Sequence, residues 1–369
     1  MQKILIIDSS VDFTGAFKAA LQQAEILNEQ YSFIFIVPTG SNTANILKQK
    51  GFAVYELPLL EIGRSFKKLL FYIPRLFNNY RQIKNIVSKE QVSIIQVNDF
   101  YNLLGATTKF FGYKGRLITY VRLLPASLPK PLSRFWVGVA QKYSNYIIAV
   151  SDAVKNQLPA SDKTILIYDP VSFTENHPIK IIDKNHAEVK LLYLANFTRG
   201  KGQEHAMAAF VNAYKQNSTL RLVFAGGDFG LEKNKVFRQE LIATAKANCL
   251  DKVTSFHEFV QDVEALIKSA DIVLNFSEAE SFSMTVAEAS YYGLPVIATR
   301  CGGPEEIIIN GETGLLVDKG AINQMESAIL TLAASSSTRE KMGLTARLQV
   351  RTKFSVTQFK NQFQKMLLS

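Results

Sequence analysis

Short apolar runs, each closed by a polar or glycine-bearing turn and followed by a stretch with helical period, recur along the chain. Lys3 to Asp8 reads as a fully buried strand, Ser9 to Gly15 as a polar loop, and Ala16 to Leu27 as a helix. Ser32 to Pro38 and Phe52 to Leu57 continue the alternation. Val92 to Val97 is the next strand and ends in Asn98-Asp99; Arg116 to Val121 is another and ends in Arg122. Pro125 to Pro131 reads as a loop, and Tyr143 to Val150 as a strand followed by a short helix from Ser151. Strands alternating with helices predict an α/β fold built on parallel sheets, and ligands of such sheets gather at the carboxyl ends of the strands. Asp99 and Arg122 stand at two such ends. Asp99 reads equally as a cap for the helix beginning at Phe100, and Arg122 as half of a surface ion pair.

Residues 170–189 form the most polar, proline-bearing connector and read as a linker. His177 and His186 lie in it without cysteine or carboxylate at ligand spacing, so no metal site is expected. Beyond it the pattern restarts. Lys190 to Ala195 is a strand, Asn196 to Gly202 a loop, and Gln203 to Tyr214 a helix. Arg199 and Lys201, with Gly200 and Gly202, stand just before that helix, a place suited to holding a diphosphate. Leu220 to Gly227, Val253 to Phe259 and Ala270 to Leu274 are further strands, with a helix over Asp262 to Ser269, and Ala321 to Ser369 reads as helical. Two restarts of one pattern predict two Rossmann-like domains. The first spans residues 1–170, a linker covers 171–189, the second spans 190–350, and a terminal helix covers 351–369.

The size agrees, since 369 residues exceed one ordinary core. A hydrophobic fraction of 47% against 20% charged residues excludes a disordered chain. The net charge of +10 suits phosphorylated ligands, anionic lipid or nucleic acid without choosing among them. Two cysteines, Cys249 and Cys301, are too few for a disulfide framework and point to a reducing compartment. The first apolar run is too short for a signal peptide, and no run of roughly 18 apolar residues predicts a spanning helix. The expectation is a cytoplasmic protein, soluble or peripheral to the inner face of a membrane.

Residues 64–90 interleave Arg64, Lys67, Lys68, Arg75, Arg81, Lys84 and Lys89 with aromatic and aliphatic residues, and hold no acid before Glu90. Such a basic amphipathic segment fits an anionic membrane surface. The competing reading turns the apolar residues into the domain core, and Pro74 is expected to interrupt the helix. Nucleic acid is not expected as a partner, because no binding module accompanies the charge.

The most informative stretch is 278–303. Glu278 to Ser283 is turn-like, Thr285 to Tyr292 makes two helical turns, Gly293 and Pro295 end them, and Val296 to Thr299 is a strand running into Gly302-Gly303. Glu280 therefore lies in the loop before a helix and Glu288 inside the helix, placed to reach opposite ends of an extended polar ligand. By spacing alone, two solvated glutamates on a connector read equally well.

The order of Glu280, Glu288, Ala289, Gly293, Pro295-Val296-Ile297-Ala298 and Gly302-Gly303-Pro304-Glu305 resembles the signature of the retaining glycosyltransferases of family 4, also called glycosyl transferases group 1. The likeness continues through Asn310-Gly311-Glu312-Thr313-Gly314-Leu315-Leu316-Val317 and is of the bacterial polysaccharide type. It implies the GT-B fold, with two Rossmann-like domains facing a central cleft and a last helix crossing back to the first. It also implies retaining, metal-independent transfer from a nucleotide-diphosphate sugar, with no cofactor, to a glycan or lipid-linked acceptor in cell-surface polysaccharide or glycolipid synthesis.

By that resemblance Lys201 and Arg199 neutralise the leaving diphosphate. Glu280 holds donor-sugar hydroxyls and stabilises positive charge at the anomeric carbon, and Glu288 accepts from the ribose. Ser281, Phe282, Ser283, Met284 and Thr285 line the donor loop, Phe259 lies against the base, and Gly15 approaches the phosphates. Asp99 and Arg122 face the acceptor. The chain departs from the pattern at Ala195-Asn196, where Gly-Arg is usual, at Ser281 and Ser283, where Gly is usual, and at the first loop, which keeps only Gly15. These departures carry one alternative, a catalytically silent nucleotide-binding scaffold of a glycan-assembly complex. An epimerase of the same fold is the other, and the spacing of Glu280 and Glu288 fits it poorly.

Overall fold

The computed structural model describes residues 1–59, 66–171, 188–258, 260 and 262–368, with the side chains of 66–71 left out. The chain divides into two compact units, Met1–Pro170 with Val356–Ser369, and Val171–Ser355. The linker expected over 171–189 falls almost entirely outside the described residues.

In the first unit the strands are β1 (Gln2–Ile7), β2 (Tyr31–Pro38), β3 (Ala53–Leu57), β4 (Ile94–Val97), β5 (Arg116–Val121), β6 (Tyr146–Ala149) and β7 (Thr164–Leu166). Its helices are α1 (Gly15–Leu27), α2 (Asn42–Gln49), α3 (Phe66–Glu90), α4 (Leu104–Phe110), α5 (Lys130–Tyr143) and α6 (Asp152–Lys155). The sheet runs β3-β2-β1-β4-β5-β6-β7, all parallel. Helices cover both faces of such a sheet, which is why Ile4, Leu5, Ile6 and Ile7 are consecutive apolar residues, all fully buried. Strand order reverses between β1 and β4, the point where a doubly wound sheet opens a crevice at its carboxyl ends.

The second unit holds β8 (Val189–Leu194), β9 (Leu220–Ala225), β10 (Thr254–His257), β11 (Ile272–Asn275), β12 (Val296–Thr299) and β13 (Gly314–Val317), again all parallel. Its helices are α7 (Gln203–Gln216), α8 (Glu232–Ala247), α9 (Val263–Ser269), α10 (Met284–Tyr291), α11 (Pro304–Ile307), α12 (Ile322–Ala333) and α13 (Ser336–Lys353). The order β10-β9-β8-β11-β12-β13 puts its reversal between β8 and β11. Leu191, Tyr193, Phe210, Phe224, Leu274 and Ile297 belong to the core around this sheet.

Several local expectations change. The helix α3 runs through Pro74, which is exposed. Tyr143 ends α5 rather than opening a strand, and Pro131 lies in the first turn of α5, where its missing N–H costs nothing. In the basic stretch, Tyr72, Tyr80, Ile83 and Ile86 are buried, and Leu76 and Val87 pack on the first core. Ile73 (67% exposed) and Phe77 (41%) face outward, with the Arg81 guanidinium 4.6 Å from the Phe77 ring. The segment thus feeds the core and presents an apolar surface at once.

The last helix, α14 (Val356–Leu368), belongs to the first unit. Phe363 meets Tyr31 edge-on at 6.0 Å, Gln364 donates to Gln30 at 2.6 Å, and Arg116 donates to the Leu367 carbonyl. Phe359, Phe363, Met366 and Leu367 are buried. Truncating Phe363 is expected to cost about 3–5 kcal/mol, as large-to-small changes at buried aromatics do. Lys365→Ala, on the exposed side, is expected to stay within ~0.5 kcal/mol. Chemical denaturation of the two variants checks this; equal losses would mean that α14 is not part of the cooperative core.

Candidate functional site

The loops after β8 and β11 emerge side by side at the reversal of the second sheet, because those strands are hydrogen-bonded neighbours. The β8 loop, Asn196–Gly202, ends in Gly202, whose φ of +77° and closeness to Phe276 exclude any other residue. A Cβ there would lie 2.0 Å from the Phe276 carbonyl oxygen. Tyr193, buried at the end of β8, accepts from the Phe276 amide at 2.7 Å and donates to the Lys201 carbonyl. Glu278 donates its amide to the Gly200 carbonyl at 2.9 Å. Asn196, in the place where the resembled pattern has Arg, works inside the loop. Its Oδ1 accepts from the Gly227 amide at 3.0 Å and its carbonyl from Gln203 at 2.9 Å.

These ties bring Lys201 to Glu280, with Nζ 2.8 Å from Oε1. Ser277 donates to the same oxygen at 2.8 Å. Burial pulls the Lys201 ammonium toward lower pKa, but the adjacent Glu280 carboxylate more than offsets it, so Lys201 is held charged. Glu280 is itself clamped by its backbone. Its amide donates to the Cys301 carbonyl at 3.1 Å and its carbonyl accepts from Gly303 at 2.8 Å. Gly303 is required here, since a Cβ would fall 2.2 Å from the Phe282 carbonyl oxygen. Burial pushes the neighbouring Cys301 thiol up to about 11, so it stays protonated near neutral pH.

The chain enters α10 through Ser283, a non-glycine residue at φ +79° whose hydroxyl takes a hydrogen bond from Asn275 Nδ2 at 3.0 Å. That side-chain bond fits a polar residue to a conformation glycine adopts more readily. Met284 opens the helix, Thr285 donates to the Leu194 carbonyl at 3.3 Å, and Phe282 packs edge-on against Phe354 at 5.1 Å. Ser281 is half-buried beside them. The first amides of α10 have no acceptors within their own helix and face an incoming anion favourably. Glu288, inside α10, is only 3% exposed. A buried carboxylate, an ion pair and a helix N-terminus therefore share one sheet reversal.

The other sequence-derived candidates separate from this group. Arg199 is 65% exposed at its side chain, paired to Glu240 at 2.5 Å and stacked 4.9 Å over Phe237. Its cation is engaged on α8 rather than beside Lys201. Phe259 lies outside the described residues. Gly15 is the first residue of α1, which Thr14 caps by accepting from Phe17 at 3.1 Å.

In the first unit, Arg122 is turned inward. It is buried against Asp169 in an ion pair, donates through Nε to Asn98 at 2.9 Å, and stacks 4.3 Å over Tyr120. A surface pairing is thereby corrected to a buried one. The guanidinium is spent on holding the ends of β4 and β5 to Asp169. Asp99 does cap the following turn, accepting from the Phe100 amide at 2.9 Å. Burial pushes its carboxyl up to about 7 despite these donors. Ser277 and Tyr193 escaped the sequence reading. Tyr193 sits at an ordinary apolar strand position, and only the adjacency of β8 and β11 gives its hydroxyl a task. Among the described residues no cluster of three or more His, Cys, Asp or Glu is placed to hold a metal ion.

Residues 175–349 match the family model described as "Glycosyl transferases group 1". An uncharacterized glycosyltransferase of Methanocaldococcus jannaschii is 24% identical over 375 residues, covering 92% of this chain and 91% of its own. Trehalose synthase of Pyrococcus horikoshii is 33% identical over 263 residues, covering 66% of this chain and 62% of its own. The crystal structure of HepE from Anabaena, solved with UDP and glucose, superposes with a TM-score of 0.84 at 19% identity over 100% of both chains. The shared architecture is GT-B.

Two outcomes are expected from this geometry. Tyr193→Phe strands the buried Phe276 amide and the Lys201 carbonyl, so it is expected to destabilise the second unit by about 1–3 kcal/mol, measured by denaturant unfolding. An unchanged midpoint would remove Tyr193 from the scaffold of the site. Asp99 binds its proton more tightly folded than unfolded. Its stabilisation is therefore complete below the unfolded value of 3.8 and is lost as pH rises through about 7. The thermal midpoint of Asp99→Asn is expected to match the parent near pH 4 and exceed it near pH 8. A difference that does not change with pH would contradict the burial of this carboxyl.

Proposed function

Through residues 175–349 this chain belongs to the group 1 glycosyl transferases, and we propose that it moves a sugar, with retention of configuration, from a nucleotide-diphosphate sugar to a glycan or lipid-linked acceptor. The observation that carries the reading is the Lys201–Glu280 pair beside the start of α10, with Glu288 buried farther along that helix. Breaking the bond between the anomeric carbon and the diphosphate separates charge, positive on the sugar and negative on the leaving group. A cation and an anion held 2.8 Å apart match that separation before it develops. Lys201 and the α10 amides neutralise the diphosphate. Glu280 lies on the sugar, and Glu288 accepts from the ribose hydroxyls. The acceptor oxygen joins the face that the diphosphate leaves.

Nothing in these roles calls on a metal, because Lys201 and the helix N-terminus supply the positive field. Arg199 enters this reading only if it exchanges Glu240 for the donor. The first unit takes the acceptor. Exposed Ile73 and Phe77 on the basic helix α3, with Phe110 and Phe111 at the end of α4 beside Phe77, support an anionic membrane surface, on the cytoplasmic side, as the place where the acceptor is met. No helix among the described residues is long and apolar enough to cross a membrane.

The test begins with thermal stabilisation by UDP, GDP, ADP, CMP and dTDP. The Anabaena structure was solved with UDP, which makes UDP the first to try. A ligand at about a hundred times its Kd adds ~2.7 kcal/mol, a readable shift. With the sugar nucleotide so chosen, Lys201→Ala and Glu288→Ala are each expected to lower kcat/KM by roughly a hundredfold or more while the fold persists. Wild-type turnover in either would sink these roles. Nucleotide binding with no turnover in the parent would favour the silent scaffold instead.

A further inference from the structure

A second opening lies wholly within the first unit, at the β1/β4 reversal, and the Lys201–Glu280 chemistry does not use it. It is a cavity of about 260 Å³ walled by Leu59, Leu76, Leu104, Leu123, Leu128 and the ring of Tyr72. Ser9, just after β1, and Asn102, after β4, also line it and are bonded to each other. Asn102 donates to the Ser9 hydroxyl at 2.9 Å and accepts from the Leu104 amide at 3.0 Å.

Two other lining residues are different. Trp136 is 6% exposed and Asn79 is 3% exposed, yet the indole N–H of the first and Oδ1 of the second have no partner among the described residues. The amide of Asn79 is oriented by its own donor, because Nδ2 reaches the Pro58 carbonyl at 3.2 Å. What remains is one buried, unpaired donor and one buried, unpaired acceptor on a largely apolar wall, to which Tyr101 and the exposed Arg75 also contribute. Buried polar atoms are rarely left unpaired without a ligand or water to meet them.

We propose that this cavity seats an apolar body of the acceptor, an aryl or alkyl group bearing one or two hydrogen-bonding oxygens, so that the acceptor is an amphiphile rather than a free sugar. The proposal rests on the reading that the first unit receives the acceptor, and it names the chemical class. A sugar ring brings several hydroxyls, each needing a partner, to a wall made mostly of leucine and aromatic side chains. It would also leave the leucines facing polar groups. An aryl or alkyl body covers the leucines, and a single ether or hydroxyl oxygen accepts from Trp136. A hydroxyl proton can then go to Asn79. Arg75 is available for an anionic group next to that body, as a phosphate would be.

Trp136 is the only tryptophan of the chain, so its fluorescence reports on this cavity alone. The experiment titrates the full chain with phenyl glucoside, n-heptyl glucoside and glucose while following that emission. The expected result is a saturable change with both glucosides and none with glucose. Leu76→Phe, which fills part of the cavity, is expected to weaken the glucosides at least fivefold. Trp136 emission that responds to glucose with equal affinity overturns the proposal. So does emission that responds to none of the three, or binding that is unaltered in Leu76→Phe. Stabilisation by the nucleotides is read in parallel on the same proteins. If the parent gains none from UDP, GDP, ADP, CMP or dTDP, the transferase reading fails, whereas an intact nucleotide response with a silent Trp136 removes only the amphiphile. An unchanged nucleotide response in Leu76→Phe also shows that this variant is folded.

Discussion

The second unit depends on the closeness of two backbones, the Gly202 turn and the Phe276 carbonyl, with the Tyr193 hydroxyl bonded to both loops. Because a Cβ cannot enter that space, the loop after β8 lies flat on the end of β11. Lys201 is thereby delivered to Glu280. The same demand recurs at Gly303 against Phe282, which sets the Glu280 loop against the turn after β12. The charged pair is thus placed by contacts between uncharged groups. That order makes physical sense, since an ion pair alone adds little once desolvation is counted, whereas backbone packing leaves no alternative geometry.

Three arginine and lysine residues show how surroundings settle the use of a cation. Lys201 keeps a partly open ammonium on Glu280, where an anionic ligand can compete for it. Arg122 is buried on Asp169 and Asn98 and locks strand ends together. Arg199 lies over Phe237 and pairs with Glu240 in solvent, where such a pair contributes at most about 1 kcal/mol and exchanges readily. Charge alone would treat them alike. Burial and the identity of the anion decide which one can meet a diphosphate.

The two units repeat one design and diverge in what fills their reversal points. In the second, polar loops converge and leave an ion pair and a helix N-terminus. In the first, leucines, Tyr72 and Trp136 make an apolar wall with two unmet polar atoms. A sheet reversal supplies a crevice whatever lines it, so the loops set the chemistry. That the last helix returns to the first unit ties the chain's end to the wall of the domain that the proposal gives to the acceptor.

The sequence by itself determined the alternation of buried strands and helices, the restart of the pattern near residue 190, and the placing of Glu280 before and Glu288 within one helix. These follow from periodicity and from glycine and proline, which act over a few residues. Tertiary structure decided what those loops meet. Lys201 and Glu280 are 79 residues apart, Arg199 and Glu240 41 apart, and Arg122 and Asp169 47 apart. No local pattern encodes such pairs. The passage of α3 through Pro74, the inward turn of Arg122, the role of Tyr193 and the apolar cavity at Trp136 all arise from packing between distant segments. Local propensity is short-ranged, while burial and ion pairing are fixed only when the strands assemble in their order.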